Sequence, residues 1–260
     1  MTALKEQTKA SDVKKKLAGK VAVVTGGSRG IGAAIALRLA NDGATVAITY
    51  NSNKEAADKV VNQITALGEK AIAVKANVSD EAANLNLIAE VKKAYGKIDI
   101  LVNNAGAFEM GPIDQVDIGQ YDRLFATNVR GVVATTIAAL PILNDGGRII
   151  GISSGAAKAT MTGASIYSAT KAALETLTRL WAQDLGKRKI TVNCVAPGTT
   201  LTDMLQAGLP PEAQAAMIEK TALGRMGQPE DIADAVAFLA SEDGRWVTGH
   251  TISCDGGLTV

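Results

Sequence analysis

The sequence predicts a single doubly wound α/β domain built on a parallel sheet. Short β-branched runs recur along the chain, apolar nearly throughout rather than alternating, and longer helical patterns separate them. Strands covered on both faces read in this way, and regular alternation of strand and helix implies right-handed crossovers. No linker, repeat or low-complexity block divides the 260 residues, a length that α/β domains reach as one unit.

In chain order the strand candidates are KVAVVTG (20–26), ATVAITY (44–50), KAIAVKA (70–76), IDILVNNAG (98–106), GRIIGISS (147–154), KITVNCVAP (189–197) and HTISCDG (250–256). Between them IGAAIALRLANDG (31–43) and KEAADKVVNQITALG (54–68) carry helical spacing, and each ends in Gly, the usual residue just past a helix C-terminus. Residues 197–231 form one irregular stretch with four of the six prolines and a short helical pattern around 211–220. A long connection at the C-terminal edge of such a sheet points to a substrate-covering lid, centred on 199–226. The polar start, residues 1–18, reads as an arm ahead of a domain over 19–260.

Composition excludes several classes. A net charge of +1 gives no general attraction for nucleic acid or anionic lipid, and 3% aromatic content gives no base-stacking surface. No run of about 18 apolar residues occurs and the start has no apolar core segment, so neither a membrane span nor a signal peptide is expected and a cytoplasmic location is. Cys194 and Cys254 sit in apolar strand-like runs and read as free thiols. His250 is the only histidine, has no nucleophile-elbow partner, and reads as structural or as an interface residue; no Cys/His cluster has metal spacing.

Two stretches carry chemistry. The first strand runs into TGGSRGIG (25–32) and then a helix, a turn whose glycines let a pyrophosphate approach main-chain N–H groups at the helix N-terminus. Its spacing, Gly26, Gly30 and Gly32, fits neither G-x-G-x-x-G nor a P-loop. Further on, Tyr167 and Lys171 stand four apart on a helical pattern, hence on one face. A phenol with an ordinary pKa near ~10 is a poor acid and base at neutral pH. A positive charge about 5 Å from the phenolate is worth roughly 3 kcal/mol at an effective dielectric near 20, enough to draw the phenol toward working pH.

TGGSRGIG together with NNAG (103–106), NVRG (128–131), GISS (151–154), YSATK (167–171) and APG (196–198) closely resembles the short-chain dehydrogenase/reductase family, in order and over residues 19–258. The resemblance implies a single Rossmann-type domain with a seven-stranded parallel sheet, usually assembled as a homotetramer. It casts Tyr167 as the acid that protonates a carbonyl oxygen, or the base in the reverse direction. Lys171 is cast as its electrostatic partner and as a ligand of the nicotinamide ribose, and Asn128 as the holder of a proton-relay water. Ser154 is cast as the group that polarises the carbonyl, preferred over Ser153 because strand alternation points the two oppositely. Cofactor contacts are implied at Gly26, Ser28, Arg29, Gly30, Ile31 and Gly32, at Asn104, Ala105 and Gly106, and at Pro197, Gly198, Thr200 and Thr202. The adenine-binding turn would be Asn77 and Val78, where the family usually has an aspartate in place of Asn77.

NADP(H) is the expected cofactor. Strand two ends at Tyr50 with no carboxylate to take a ribose 2′-hydroxyl, Asn51 and Ser52 offer neutral donors, and Arg29 stands where NADP-preferring members carry a basic residue. The expected reaction is reversible reduction of a small ketone or aldehyde to an alcohol. A 3-oxoacyl-carrier-protein reductase shares every motif, but PILNDGGR (141–148) lacks the basic segment suited to an acidic carrier, although Arg188 stands at the other basic position. The enoyl-reductase branch spaces its Tyr and Lys farther apart than YSATK. A non-catalytic nucleotide-binding scaffold is disfavoured because Asn128, Ser154, Tyr167 and Lys171 are all present.

Overall fold

The first strand, β1 (Val21–Val24), is buried on both sides, and its residues divide between two cores. Ala22 and Val24 join the apolar cluster on one face of the sheet, Val21 and Val23 the cluster on the other, as the two-residue period of a strand requires. The structure is a computed structural model that describes residues 15–202 and 210–260. From β1 the chain continues through α1 (Gly30–Asn41), β2 (Thr45–Tyr50), α2 (Lys54–Ala66), β3 (Ala71–Lys75), α3 (Glu81–Tyr95) and β4 (Ile98–Asn103). Next come α4 (Ile118–Phe125), a π-helical turn (Ala126–Arg130), α5 (Gly131–Ala139), β5 (Leu143–Ile152), α6 (Ser165–Leu185) and β6 (Thr191–Pro197). It closes with α7 (Pro211–Lys220), α8 (Pro229–Ala240) and β7 (Thr251–Cys254).

The seven strands form one sheet in the order β3-β2-β1-β4-β5-β6-β7, and every pairing is parallel. The doubly wound fold expected from the sequence is therefore the observed one. Helices α1, α2 and α8 cover one face through Ile35, Leu39, Val60, Ile64, Ile232 and Val236. Helices α3, α5 and α6 cover the other through Leu87, Val91, Ala139 and Ala182. Strand order reverses between β1 and β4, and a crevice at the carboxyl ends of such a pair is where open α/β sheets bind ligands.

The observed strands are trimmed or shifted from the expected ones by a few residues, most at two of them. β4 stops at Asn103, so Asn104, Ala105 and Gly106 form the turn beyond it, and β5 begins earlier than expected, at Leu143. Leu17, within the expected polar arm, is fully buried and donates its N–H to Asp42 O at 2.7 Å. Residues 1–14 of that arm and 203–209 of the expected lid lie outside the described residues. Both cysteines are free: Cys194 is buried and Cys254 half-buried. No helix among the described residues is long and apolar enough to cross a membrane.

Candidate active site

The loops after β1 and β4 meet at the reversal of strand order. Thr25 Oγ1 accepts from the N–H groups of Asn104 (2.9 Å) and Ala105 (3.0 Å), while Asn104 Nδ2 donates to Thr25 O (2.8 Å) and Gly26 O (3.2 Å). The glycine-rich turn is built against that brace. Gly26 and Gly30 hold φ of +64° and +53°, a region that side chains other than glycine rarely adopt. A Cβ on Gly32 would lie 2.3 Å from Gly26 O, so the turn closes only around hydrogen. Sequence reasoning did not single out Thr25, although its place directly before the glycines was visible.

This turn fits an anionic dinucleotide phosphate. The N-terminus of α1 has no side-chain cap and no acidic residue in its first turn, which leaves its N–H groups and dipole available to an anion. Ser28 and Ile31 lie in the same turn, and Arg29 stands at the cap position, exposed and in extended backbone. Thr202 comes against it: its Cγ2 would be 3.3 Å from a Cβ on Gly30. Thr200 is buried and bridges to Gly227, and Gly198 packs so closely on Asp255 that a Cβ there would sit at 2.8 Å. Pro197, the last residue of β6, leads into this segment.

The other predicted contacts sit at the same edge of the sheet. Asn51 and Ser52 are exposed just past β2, whereas the ring of Tyr50 packs into the core and its carbonyl accepts from Ala76 N–H at 2.9 Å. Asn77 Oδ1 accepts from Ser79 N–H (3.1 Å) and Ser79 Oγ (2.9 Å), so the amide that replaces the family's aspartate shapes its own turn. Val78 is held from behind: Asn84 Nδ2 donates to Val78 O (2.8 Å), and Thr135 Oγ1 donates to Asn84 Oδ1 (3.0 Å). Asn84 and Thr135 had no sequence signal.

Four candidate catalytic side chains converge past the ends of β4 and β5. Asn128 lies in the π turn, fully buried, where Oδ1 accepts from Ala107 N–H (2.7 Å) and Nδ2 donates to Ala107 O (2.9 Å) and Thr170 Oγ1 (3.1 Å). A π turn inside a helix re-aims the side chains it carries. Thr170 in turn donates to Tyr167 O at 2.6 Å, which couples Asn128 to the helix bearing Tyr167 and Lys171. Gly106 faces the gap between them: a Cβ there would lie 3.4 Å from Asn128 Oδ1 and 3.5 Å from Lys171 Nζ.

Tyr167 and Lys171 share one face of α6, as their spacing predicts, with Lys171 Nζ 5.7 Å from the centre of the phenol ring. Lys171 Nζ donates to Ile152 O at 2.8 Å. Burial pushes the Tyr167 phenol above its ordinary value, opposed by a hydrogen bond with Ser154. This corrects the simple expectation of a phenol drawn down by the ammonium: here enclosure raises it, and the opposing effect comes from Ser154. Ser154 is the serine in contact with Tyr167, while Ser153 is turned into the interior, where its hydroxyl donates to Glu175 Oε1 at 3.0 Å.

Loop 107–116 forms the outer wall. Phe108 stands edge-on to Tyr167, with ring centres 4.8 Å apart and planes at 87°. Glu109 ties the loop to α4 through two hydrogen bonds from Arg123 (3.0 and 2.8 Å), and Gly111 N–H donates to Gly163 O (2.8 Å). In the segment after β6, Thr199 Oγ1 donates to Met217 Sδ on α7 at 3.3 Å. Among the described residues no group of three His, Cys, Asp or Glu side chains is placed to hold a metal.

Lys171 makes the site's charge testable through stability. Burial pulls its ammonium down to about 8 from an ordinary 10.5. Between those values the unfolded chain binds more protons, so the cost of burying the charge is full below about pH 8 and is relieved as pH rises to 10.5. The melting-temperature difference between wild type and Lys171→Met should therefore move in the wild type's favour across that window, by the equivalent of roughly 3 kcal/mol. A difference that stays constant from pH 7 to 10.5 would reject the buried, depressed lysine.

Comparison with known proteins gives a consistent result. The profile of a family described as enoyl-(acyl carrier protein) reductase matches residues 26–259. An oxidoreductase of Methylorubrum extorquens is 49% identical over 245 residues, covering 94% of this chain and 99% of that protein. A short-chain dehydrogenase from Burkholderia cenocepacia, solved in complex with NADP, superposes with a TM-score of 0.90 at 46% identity, covering 94% of this chain and all of the other. The angucycline C-6 ketoreductase LanV, solved with bound NADP, superposes with a TM-score of 0.89 at 39% identity, covering 94% and 97%.

Proposed function

We propose that this chain, which belongs to the short-chain dehydrogenase/reductase family, is a reversible carbonyl reductase acting on small free ketones or aldehydes. It is an oxidoreductase, and its cofactor is NADP(H), the dinucleotide bound by the Burkholderia and ketoreductase neighbours. The observation that carries the reading is the enclosed Ser154–Tyr167 contact, with Lys171 beside it and Asn128 behind it.

The cofactor, when bound, supplies the hydride. The glycine-rich turn and the N-terminus of α1 would hold its pyrophosphate, Val78 and Asn77 its adenine, and Arg29, Asn51 and Ser52 its 2′-phosphate. Pro197, Gly198, Thr200 and Thr202 would hold the nicotinamide half, together with Lys171. Ser154 donates to the carbonyl oxygen and steadies the charge that develops there. Tyr167 delivers the proton to that oxygen. Lys171 stabilises the resulting phenolate, and a water held beside Asn128 returns a proton from solvent. Phe108 and loop 107–116 keep bulk water away from this transfer.

Free carbonyl compounds are favoured over carrier-bound thioesters because the one basic residue expected to greet an acidic carrier is already engaged. Arg188 Nε donates to Asp145 Oδ1 at 2.8 Å, and its Nη1 donates to Leu140 O at 3.2 Å. The homotetramer implied by the resemblance belongs to the same reading. Phe238 on α8 and the almost fully exposed Trp246 beyond it leave apolar surface for subunit contact.

Steady-state kinetics with NADPH and NADH against aldehydes, ketones, diketones and acyl thioesters tests this function. The expected outcome is turnover of free carbonyl compounds with a higher kcat/KM for NADPH. Efficient reduction of acetoacetyl-carrier protein, well above the best free ketone, would assign the carrier-protein reaction instead. Arg29→Ala should weaken NADPH by about tenfold, the scale of one charge-assisted hydrogen bond, and leave NADH nearly unchanged. Equal losses for both dinucleotides would remove Arg29 from the 2′-phosphate site.

A further inference from the structure

We propose that Glu175 is a positioning residue for this reaction, pinning the end of β5 to α6 through Ser153 and so holding Ser154 and Lys171 in place. The inference rests on the catalytic reading of Ser154, Tyr167 and Lys171 given above.

Tyr167, Lys171 and Glu175 follow one another at four-residue intervals on α6 and therefore share a face. Opposite them stand three consecutive residues at the end of β5: Ile152, Ser153 and Ser154. Each helix residue grips one of the three. Ser154 hydrogen-bonds Tyr167, Lys171 Nζ donates to Ile152 O at 2.8 Å, and Ser153 Oγ donates to Glu175 Oε1 at 3.0 Å. The first two grips involve groups assigned to the reaction. The third does not, yet both its members are buried, with Ser153 3% and Glu175 9% exposed.

A carboxyl group buried to that degree needs partners and adds little stability that an apolar residue would not supply. What the pair does add is registration. Ser153 is also within 3.4 Å of Lys171 O, so its hydroxyl touches the helix at both the second and third positions. The main chain cannot move at Ser153 without moving its two neighbours, and those neighbours are Ser154 and the carbonyl that orients Lys171. Loss of about 1 Å of alignment costs catalysis on the order of 10²-fold, whereas most of the dinucleotide contacts proposed above lie on the separate turns after β1, β2, β3, β4 and β6.

The test compares Glu175→Leu, Glu175→Gln, Ser153→Ala and the double variant Ser153→Ala/Glu175→Leu. Glu175→Leu should lower kcat by about 10- to 100-fold with KM and the NADPH dissociation constant, read by fluorescence titration, within about threefold. Glu175→Gln keeps an oxygen that accepts from Ser153 and should restore kcat to within about threefold of wild type. Ser153→Ala should fall as Glu175→Leu does, and the double variant should be no worse than the poorer single one, because both remove one bond.

A second readout needs no turnover. The Tyr167 phenol, followed by ultraviolet titration against a Tyr167→Phe background, should titrate higher in Glu175→Leu and Ser153→Ala than in wild type, since Ser154 then loses its hold on the phenol. Glu175→Gln should leave it unmoved. Absence of that shift, together with Glu175→Leu within twofold of wild-type kcat, would overturn the inference, as would a Gln variant as impaired as Leu. A wild type that reduces no carbonyl compound would sink the catalytic reading, while the titration would still decide whether Glu175 positions Ser154. If Glu175→Leu does not fold, Ser153→Ala carries the same comparison.

Discussion

Tyr167→Phe should abolish nearly all turnover, with a fall in kcat of about 10²- to 10⁴-fold, the usual contribution of a positioned general acid or base. The change is confined to one atom. The ring remains, and with it the edge-on contact to Phe108 at 4.8 Å and the position over which Lys171 Nζ stands at 5.7 Å. Only the transferable proton and the hydrogen bond with Ser154 are lost. NADPH affinity should stay within a few-fold, because the proposed cradle for the dinucleotide is built mainly from the turns after β1, β2, β3, β4 and β6. Retention of more than a tenth of the wild-type kcat would remove Tyr167 from the role of proton donor.

Gly32→Ala should damage stability and NADPH binding together. A Cβ at this position would lie 2.3 Å from Gly26 O and 2.5 Å from Asn104 Nδ2. Neither neighbour is a free side-chain end that can swing away. Gly26 O is main chain, in a residue at φ +64°, and Asn104 Nδ2 is spent on Thr25 O and Gly26 O. Overpacking of this kind typically costs about 1–3 kcal/mol, which for a chain of this size lowers the melting temperature by roughly 2–4 °C per kcal/mol. Because the displaced atoms are those of the phosphate turn, NADPH affinity should fall by at least about tenfold, equivalent to about 1.4 kcal/mol. Gly186→Ala is the matched control: its φ is −56° and a Cβ there meets nothing within 4 Å. A Gly32→Ala protein that melts within 1 °C of wild type and binds NADPH within about twofold would show that the close approach is not needed.

The sequence by itself determined the sheet and much of the site's local geometry, because both follow from periodicity and backbone freedom. Continuous apolar runs such as AVVT and ILVN can be buried only with cover on both faces, so a parallel doubly wound sheet was legible before any contact was known. The four-residue spacing of Tyr167 and Lys171 placed them on one helix face, and two-residue alternation separated Ser154 from Ser153. Tertiary structure decided what depends on which distant segments meet. The π turn that carries Asn128 continues α4 without a local break in pattern, and its purpose emerges only when Ala107 and Thr170 close around the amide. Thr25, Asn84, Thr135 and Glu175 each have a partner 22 to 80 residues away. The balance at Tyr167 is of the same kind. A charge four residues away can be counted from the sequence, but the burial that raises the phenol and the Ser154 contact that opposes it come from β5, α6 and loop 107–116, and only the folded chain brings those together.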